Sequence, residues 1–487
     1  MRVILAEKPS VAQSIAAVLG ADQKKNGYLQ GENDLVSWCI GHLIELAPPE
    51  IYDARYAKWR REDLPIVPSA WESVVSDGTK KQFAVLKDLL NRTDVDEVVC
   101  ATDAGREGEL IFRMVYEKTG CTKPVKRLWI SSLEESAIRD GFRSLKPGSA
   151  YDALYRAALC RAQADWLVGI NGTRLYSRLY GTKLNVGRVM TPTLAMVAQR
   201  EKEIAAFQVE RFYTAQLSCG FPAQSGRIKT REEAERIRAS CHCKKAAVKQ
   251  IERRQKKEKQ PKLYDLTALQ RDANRIYGYT AQQTLDYAQT LYEKKLTTYP
   301  RTDSRFLTHD LRDRLPALIE CVAQVLPFAS GLPLAVRTQQ VIRDEKVSDH
   351  HAIIPTQNMT REALAQLPMG EHSILTLLAV RLLAATGEPC ETDEVTVTLD
   401  CEGHDFTAKG STVRQMGYRM FEETFRGSLG SRERKEQEYP IPPLEIGQMV
   451  GPVVATIREG QTTPPKRYTD VIFCERKEWI GIEERSS

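Results

Sequence analysis

Through the first 147 residues, short wholly apolar runs alternate with amphipathic stretches of helical period. Val3-Ile4-Leu5-Ala6 is apolar at every position, the pattern of a strand buried on both faces. Ser10 can cap a helix over residues 11–19 that Gly20 stops. A second unit follows at Glu97-Val98-Val99-Cys100-Ala101. A third runs through Arg127-Leu128-Trp129-Ile130, where Ser132-Leu133-Glu134-Glu135 reads as a capping box and Lys146-Pro147-Gly148 as a stop. This alternation predicts an α/β domain with a largely parallel sheet.

From Tyr151 to about residue 207 the periodicity is helical, broken by Lys183-Leu184-Asn185-Val186-Gly187-Arg188. Residues 208–260 predict strands and turns. They end in a basic run from Lys244 through Arg253, Arg254, Lys256, Lys257 and Lys259, for which a solvated face is a simpler account than phosphate tracking. Helical period returns from Leu266 and holds to about Gly387; β alternation resumes at Val395-Thr396-Val397-Thr398-Leu399. The two β regions are expected to form one domain, with the helical region inserted into it.

At 487 residues the chain is expected to form several domains, and 42% hydrophobic with 28% charged residues is the composition of a folded globular protein. Lys+Arg 70 against Asp+Glu 64 leaves only +6, so affinity for nucleic acid has to come from local patches. No apolar run is long enough for a signal peptide or a bilayer span, and the eleven scattered cysteines suit a reducing cytoplasm. Cys241-His242-Cys243 lacks a second pair at ligand spacing and reads as surface, not zinc.

Two segments carry chemistry. In Thr298-Tyr299-Pro300-Arg301-Thr302-Asp303-Ser304 the residue before proline is extended, so Tyr299 and Arg301 face one spot. A phenol beside a phosphate-gripping guanidinium is equipment for attack on a phosphodiester; a turn with a solvated arginine is the plainer alternative. In Asp103-Ala104-Gly105-Arg106-Glu107-Gly108-Glu109 the acidic cluster follows a strand, and Glu7 with Lys8 follows the first strand. Carboxylates converging at one sheet edge call for a divalent cation such as Mg²⁺; helix N-terminus preference explains Glu107 and Glu109 but not Asp103 and Glu7. His350-His351 cannot easily share one metal, and one of them can donate to a phosphate. Gln270, Arg271, Asn274 and Arg275 share helical spacing, fit either for phosphate and base edges or for a solvated face. No Gly-x4-Gly-Lys-Ser/Thr loop is present, which argues against an ATP-driven motor.

Together these segments resemble the bacterial type IA DNA topoisomerases, most closely their topoisomerase III branch. The match runs through Ile4 to Ser10, Gly41-His42-Leu43, Asp103 to Glu109, Asn185 to Val189, Leu269-Gln270, Thr298 to Ser304 and His350 to Thr356. The resemblance implies a multidomain α/β plus α and β protein, with a Toprim domain, helical domains and a β-rich domain around a central hole. Its boundaries are expected at 1–147 (Toprim), 148–207 (helical, DNA-binding), 208–262 and 391–469 (β-rich), and 263–390 (helical, carrying the tyrosine). It implies Tyr299 as the nucleophile, Arg301 on the scissile phosphate with His350 assisting, and Glu7 with Lys8 handling the proton of the leaving 3′ oxygen. Asp103 and Glu107, with Glu7, would hold Mg²⁺. Arg188, Asn185, Gln270 and Arg106 would contact DNA. Where many members carry a second aspartate this chain has Gly105, which leaves Glu109 as a further candidate ligand.

The expected activity is ATP-independent single-strand cleavage, strand passage and religation through a 5′-phosphotyrosine, relaxing negatively supercoiled DNA or decatenating. The expected protein is a cytoplasmic monomer at nucleoid or plasmid, with a helicase as partner and no membrane. After Thr469 the family continues into a helical segment, whereas residues 470–487 read as a divergent tail. A truncated, non-catalytic single-strand-binding remnant is therefore the second reading. A Toprim primase or nuclease is the third, and neither chemistry needs a nucleophilic tyrosine.

Overall fold

The computed structural model describes residues 1–347, 349–430 and 441–469; the expected tail at 470–487 lies outside the described residues. Seven strands form the first sheet, in the spatial order Gln23–Lys25, Tyr28–Gln30, Asp34–Trp38, Arg2–Ala6, Glu97–Ala101, Val125–Arg127, Lys146–Pro147. The four middle strands run parallel, and antiparallel partners close both edges. Alternate residues of each middle strand feed different cores: Val3, Leu5, Leu35 and Cys100 pack on one face, Ile4, Ala6, Val36 and Val99 on the other. Burial on both faces is why those runs contain no polar break. Ala6 pairs with Ala101, so Glu7, the next residue, and Asp103, two residues on, leave the sheet together at its carboxyl edge.

Local signals differ from expectation in several places. The first helix is Pro9–Leu19 with Lys8 as its N-cap; Pro9 occupies the first turn, where its missing N–H costs nothing, and Ser10 makes no cap. Gly20 closes that helix at φ 72. The third strand ends at Arg127, and its helix, Glu135–Arg143, has no side-chain cap. Ser132 Oγ takes the Glu134 N–H instead, a local turn that delays helix entry. Residues 208–260 also hold the helix Arg231–Cys241, capped by Thr230. Cys241 is buried in the second core, not on the surface; Cys243 is exposed.

The second sheet also has seven strands, ordered Met449–Val450, Ala246–Glu258, Cys390–Cys401, His404–Gln415, Pro222–Gln224, Arg211–Ser218, Val454–Gln461. Strands from before and after the helical stretch thus interleave in one sheet. The basic run is the strand Ala246–Glu258, with Lys249 on Asp405, Lys256 on Glu394 and Lys257 on Glu391. Between the two halves of the sheet lie Leu266–Tyr277, Ala281–Glu293, Leu315–Val325 and Met369–Ala385, which close on a core of Leu269, Ile319, Ile374 and Leu378. Met369–Ala385 is the hub of this core, buried on nearly every side. The long helix Asp152–Tyr180 lies over the first sheet's helix Arg106–Thr119, and Met190–Ala205 follows it.

Candidate active site

The acidic motif divides into two environments. Glu109 points inward and is fully buried, with Oε1 2.9 Å from Arg113 Nε and Oε2 3.1 Å from Arg127 Nε. Arg127 is itself buried and donates to the carbonyls of Cys100, Thr102, Leu128 and Asp103, at 2.7–3.2 Å. The end of strand Glu97–Ala101 is thereby clamped. Gly108 packs directly on it: a Cβ there would stand 2.1 Å from the Asp103 carbonyl oxygen. Glu109 therefore buttresses the motif, its carboxylate held between two guanidinium groups.

Glu7 and Asp103 point the other way. The Asp103 N–H donates to Glu7 Oε2 at 3.3 Å, and no arginine pairs with either carboxylate among the described residues. Desolvation, with the charge of Asp103 adding to it, pushes Glu7 up to about 7. Desolvation raises Asp103 too, while Lys8, the phenol of Tyr299 and Arg301 pull it back. Lys8 Nζ sits 3.6 Å from Glu293, within the field of both carboxylates.

Tyr299 arrives from the helical region, 196 residues away in sequence, and its Oη donates to Asp103 Oδ2 at 2.9 Å. Its backbone is fixed on both sides: Thr298 N–H donates to Ile354 O, and Tyr299 N–H donates to Ser131 O at 3.0 Å. The ring meets Tyr292 edge-on at 5.4 Å and lies 4.3 Å from the ring of His350. Only 7% of the residue is exposed, and desolvation beside Asp103 and Glu7 holds the phenol well above its usual pKa. Arg301 lines the same cavity as Tyr299, Glu7 and Asp103, and no hydrogen bond engages its guanidinium among the described residues. His350 is buried, Nδ1 3.0 Å from Ser131 Oγ, and burial pushes its imidazole down to about 3.

Glu107 lines this cavity, but its Oε1 lies 2.6 Å from His42 Nε2. That bond lowers the glutamate's pKa and raises the histidine's. No three His, Cys, Asp or Glu side chains stand close enough to share a cation among the described residues. The chemistry of the donors still fits Mg²⁺ at Glu7 and Asp103: they are two adjacent oxygen-bearing acids, one with its pKa pushed up by the other despite the fields of Lys8 and Arg301. Glu107 belongs to a pair with His42 and not to that cluster.

The cavity, about 1140 Å³, extends from the acid pair past Arg161, Asp165 and Arg188 to Gln270 and Gln282. Arg188 Nε is 2.7 Å from Asp165, and Gln270 donates to Ala281 O. Arg106 stands at the first turn of its helix, close enough to act on Glu107 and Asp349. Asn185 is exposed in the loop after Asp152–Tyr180 and does not line the cavity. Sequence reasoning gave no role to Arg127, Ser131 or Tyr292. Strand placement was a signal for Arg127; nothing local marks the other two.

A tyrosine-bearing helical region docked on the acidic edge of such a sheet is the arrangement expected of the type IA DNA topoisomerases. A family model described as DNA topoisomerase matches residues 149–475, and one described as Toprim domain matches residues 2–133. The chain belongs to this family. It is 40% identical over 491 residues to a DNA topoisomerase 3 of Bacillus cereus, covering 98% of this chain and 67% of that one. It is 41% identical to DNA topoisomerase 3 of Bacillus subtilis (strain 168), over 96% and 66% of the two chains. The structure of full-length topoisomerase I from Thermotoga maritima superposes with a TM-score of 0.75 at 23% identity, over 100% of this chain and 76% of that one; this likeness concerns the fold alone. The chain spans about two thirds of the length of the topoisomerases 3 it matches.

Proposed function

We propose that the chain cleaves and reseals one strand of DNA through a 5′-phosphotyrosine at Tyr299, relaxing negatively supercoiled DNA or decatenating it without ATP. The observation that carries this reading is the 2.9 Å contact between Tyr299 Oη and Asp103, which joins the two segments on which the chemistry depends. Asp103 accepts the phenol proton, and its raised pKa makes it a stronger base than a surface carboxylate. Arg301 holds the scissile phosphate as a forked donor. The phosphorus–O3′ bond breaks as the bond to Oη forms, and Lys8, next to Glu7 in the chain, supplies the proton to the leaving 3′ oxygen. Reversing the transfer reseals the strand, so the ester conserves the energy that religation needs. Mg²⁺ at Glu7 and Asp103 would offset their repulsion and that of the phosphate.

The cavity past Arg161, Arg188 and Gln270 suits the path of a single strand. In this reading residues 1–147 supply the acids, 263–390 the nucleophile, 148–207 the strand's bed, and 208–262 with 391–469 the frame of a central hole. A monomer working in the cytoplasm with a helicase completes the proposal. The test is incubation with labelled single-stranded DNA and Mg²⁺, then denaturing electrophoresis. The wild-type chain forms a shifted covalent band and Tyr299→Phe forms none. A chain that binds the oligonucleotide yet never yields the band is the non-catalytic remnant, and a band surviving in Tyr299→Phe removes the nucleophile.

A further inference from the structure

Ser131 lies just past the third strand of the first sheet, and two bonds from this one residue converge on the site. Its carbonyl accepts the Tyr299 N–H at 3.0 Å, and its Oγ is 3.0 Å from Nδ1 of His350. The histidine is fixed from its other sides. Thr302 Oγ1 donates to its carbonyl at 2.8 Å, Trp129 stacks at 6.5 Å, and Trp129 Nε1 donates to the neighbouring Asp349 carbonyl at 3.3 Å. The Ala104 backbone acts on the ring in the sense that favours a proton, yet Nε2 is buried without a hydrogen bond of its own. A buried polar nitrogen left without a partner costs free energy and points to a group that completes it in the working complex.

We propose that Ser131 is a positioning residue whose hydroxyl donates to Nδ1 of His350, so that the single ring proton stays on Nε2 as a donor reserved for the phosphate under attack. A neutral imidazole has one donor and one acceptor nitrogen, and the partner of one decides the role of the other. The low pKa of His350, about 3, agrees with a ring that stays neutral. The ring lies against Tyr299, 4.3 Å between centroids, which puts the imidazole beside the attacking side chain. Ser131 thereby aligns nucleophile and phosphate donor from a single point on the first sheet. The proposal rests on Tyr299 as nucleophile, and its test separates the two.

Nitrogen-15 histidine spectra of the full chain distinguish the two neutral tautomers, with His350→Gln assigning the signal among the seven histidines. The expected result is a proton on Nε2 of His350 in the wild type and a mixed signal in Ser131→Ala. Cleavage of a labelled oligonucleotide should slow by about ten-fold or more in Ser131→Ala, with binding within about two-fold of wild type, as for loss of one aligned donor. Ser131→Thr, which keeps the hydroxyl, should restore both signal and rate. If Ser131→Ala does not fold, Ser131→Cys, a weak donor of similar size, stands in for it. A proton on Nδ1 in the wild type, or wild-type cleavage in the hydroxyl-free variant, overturns the proposal. Absence of any covalent band in the wild type counts against the nucleophile reading, while the tautomer still decides the role of Ser131.

Discussion

Glu109 and the Glu7–Asp103 pair stand on the same strand edge in opposite electrostatic states. Glu109 is enclosed by two guanidinium groups, and every charge there is matched at 2.9–3.1 Å. Glu7 accepts the Asp103 N–H, and the charge of Asp103 raises the affinity of Glu7 for a proton. A matched buried charge holds backbone in place; an unmatched pair stores repulsion that a cation or a proton can relieve. The contrast separates scaffold from chemistry within one motif. It also gives the largest expected difference between variants. Arg127→Ala leaves Glu109 buried and half-paired and releases four carbonyls, which should cost about 3–5 kcal/mol and lower Tm clearly. Asp103→Asn removes repulsion and keeps an acceptor for the Tyr299 phenol, so its stability should stay within about 1 kcal/mol of wild type while covalent capture of DNA is lost. Thermal melting beside the band-shift assay checks both. Equal destabilisation by the two substitutions would erase the distinction.

The same contrast marks where sequence patterns reach their limit. The apolar runs at Val3–Ala6 and Val98–Ala101 disclosed the central strands because burial on both faces leaves no room for polar residues. The edge strand Gln23–Lys25 is exposed throughout and carries no such pattern, so it was invisible. That Tyr299, Arg301 and Asp103 would meet was suggested in sequence by proline geometry and strand-end placement, which fix their neighbourhood locally. Glu107 and Glu109 looked alike in sequence, and helical rotation sent one to His42 and the other to Arg127. Which arginine waits in the core, and which serine meets a histidine 219 residues away, depends on packing that no local pattern encodes.

Acid titration sharpens the comparison further. In the metal-free chain Glu7 has a folded pKa of about 7 against an ordinary 4.5, so folding favours its protonated form. The stability this contributes is complete below 4.5 and is lost as pH rises through about 7. Wild-type Tm should therefore fall relative to that of Glu7→Gln across this window, and the two should run parallel outside it. Parallel melting curves at every pH would place the proton elsewhere.

The smallest expected effect concerns Glu107, which belongs to neither state. It faces the cavity, yet His42 holds it at 2.6 Å in a half-exposed pair. Exposed pairs contribute little to stability, so His42→Ala should change the unfolding free energy by less than about 1 kcal/mol. What changes is the freedom of the carboxylate: without its partner, Glu107 can swing toward Glu7 and Asp103 and add a third oxygen donor. Calorimetric titration with Mg²⁺ should then show binding tightened by a few-fold, on the order of 1 kcal/mol, in His42→Ala. Glu107→Gln should leave affinity near wild type, since its carboxylate is already committed to His42. Weaker binding in His42→Ala would mean that the pair holds Glu107 ready for the cation instead of away from it.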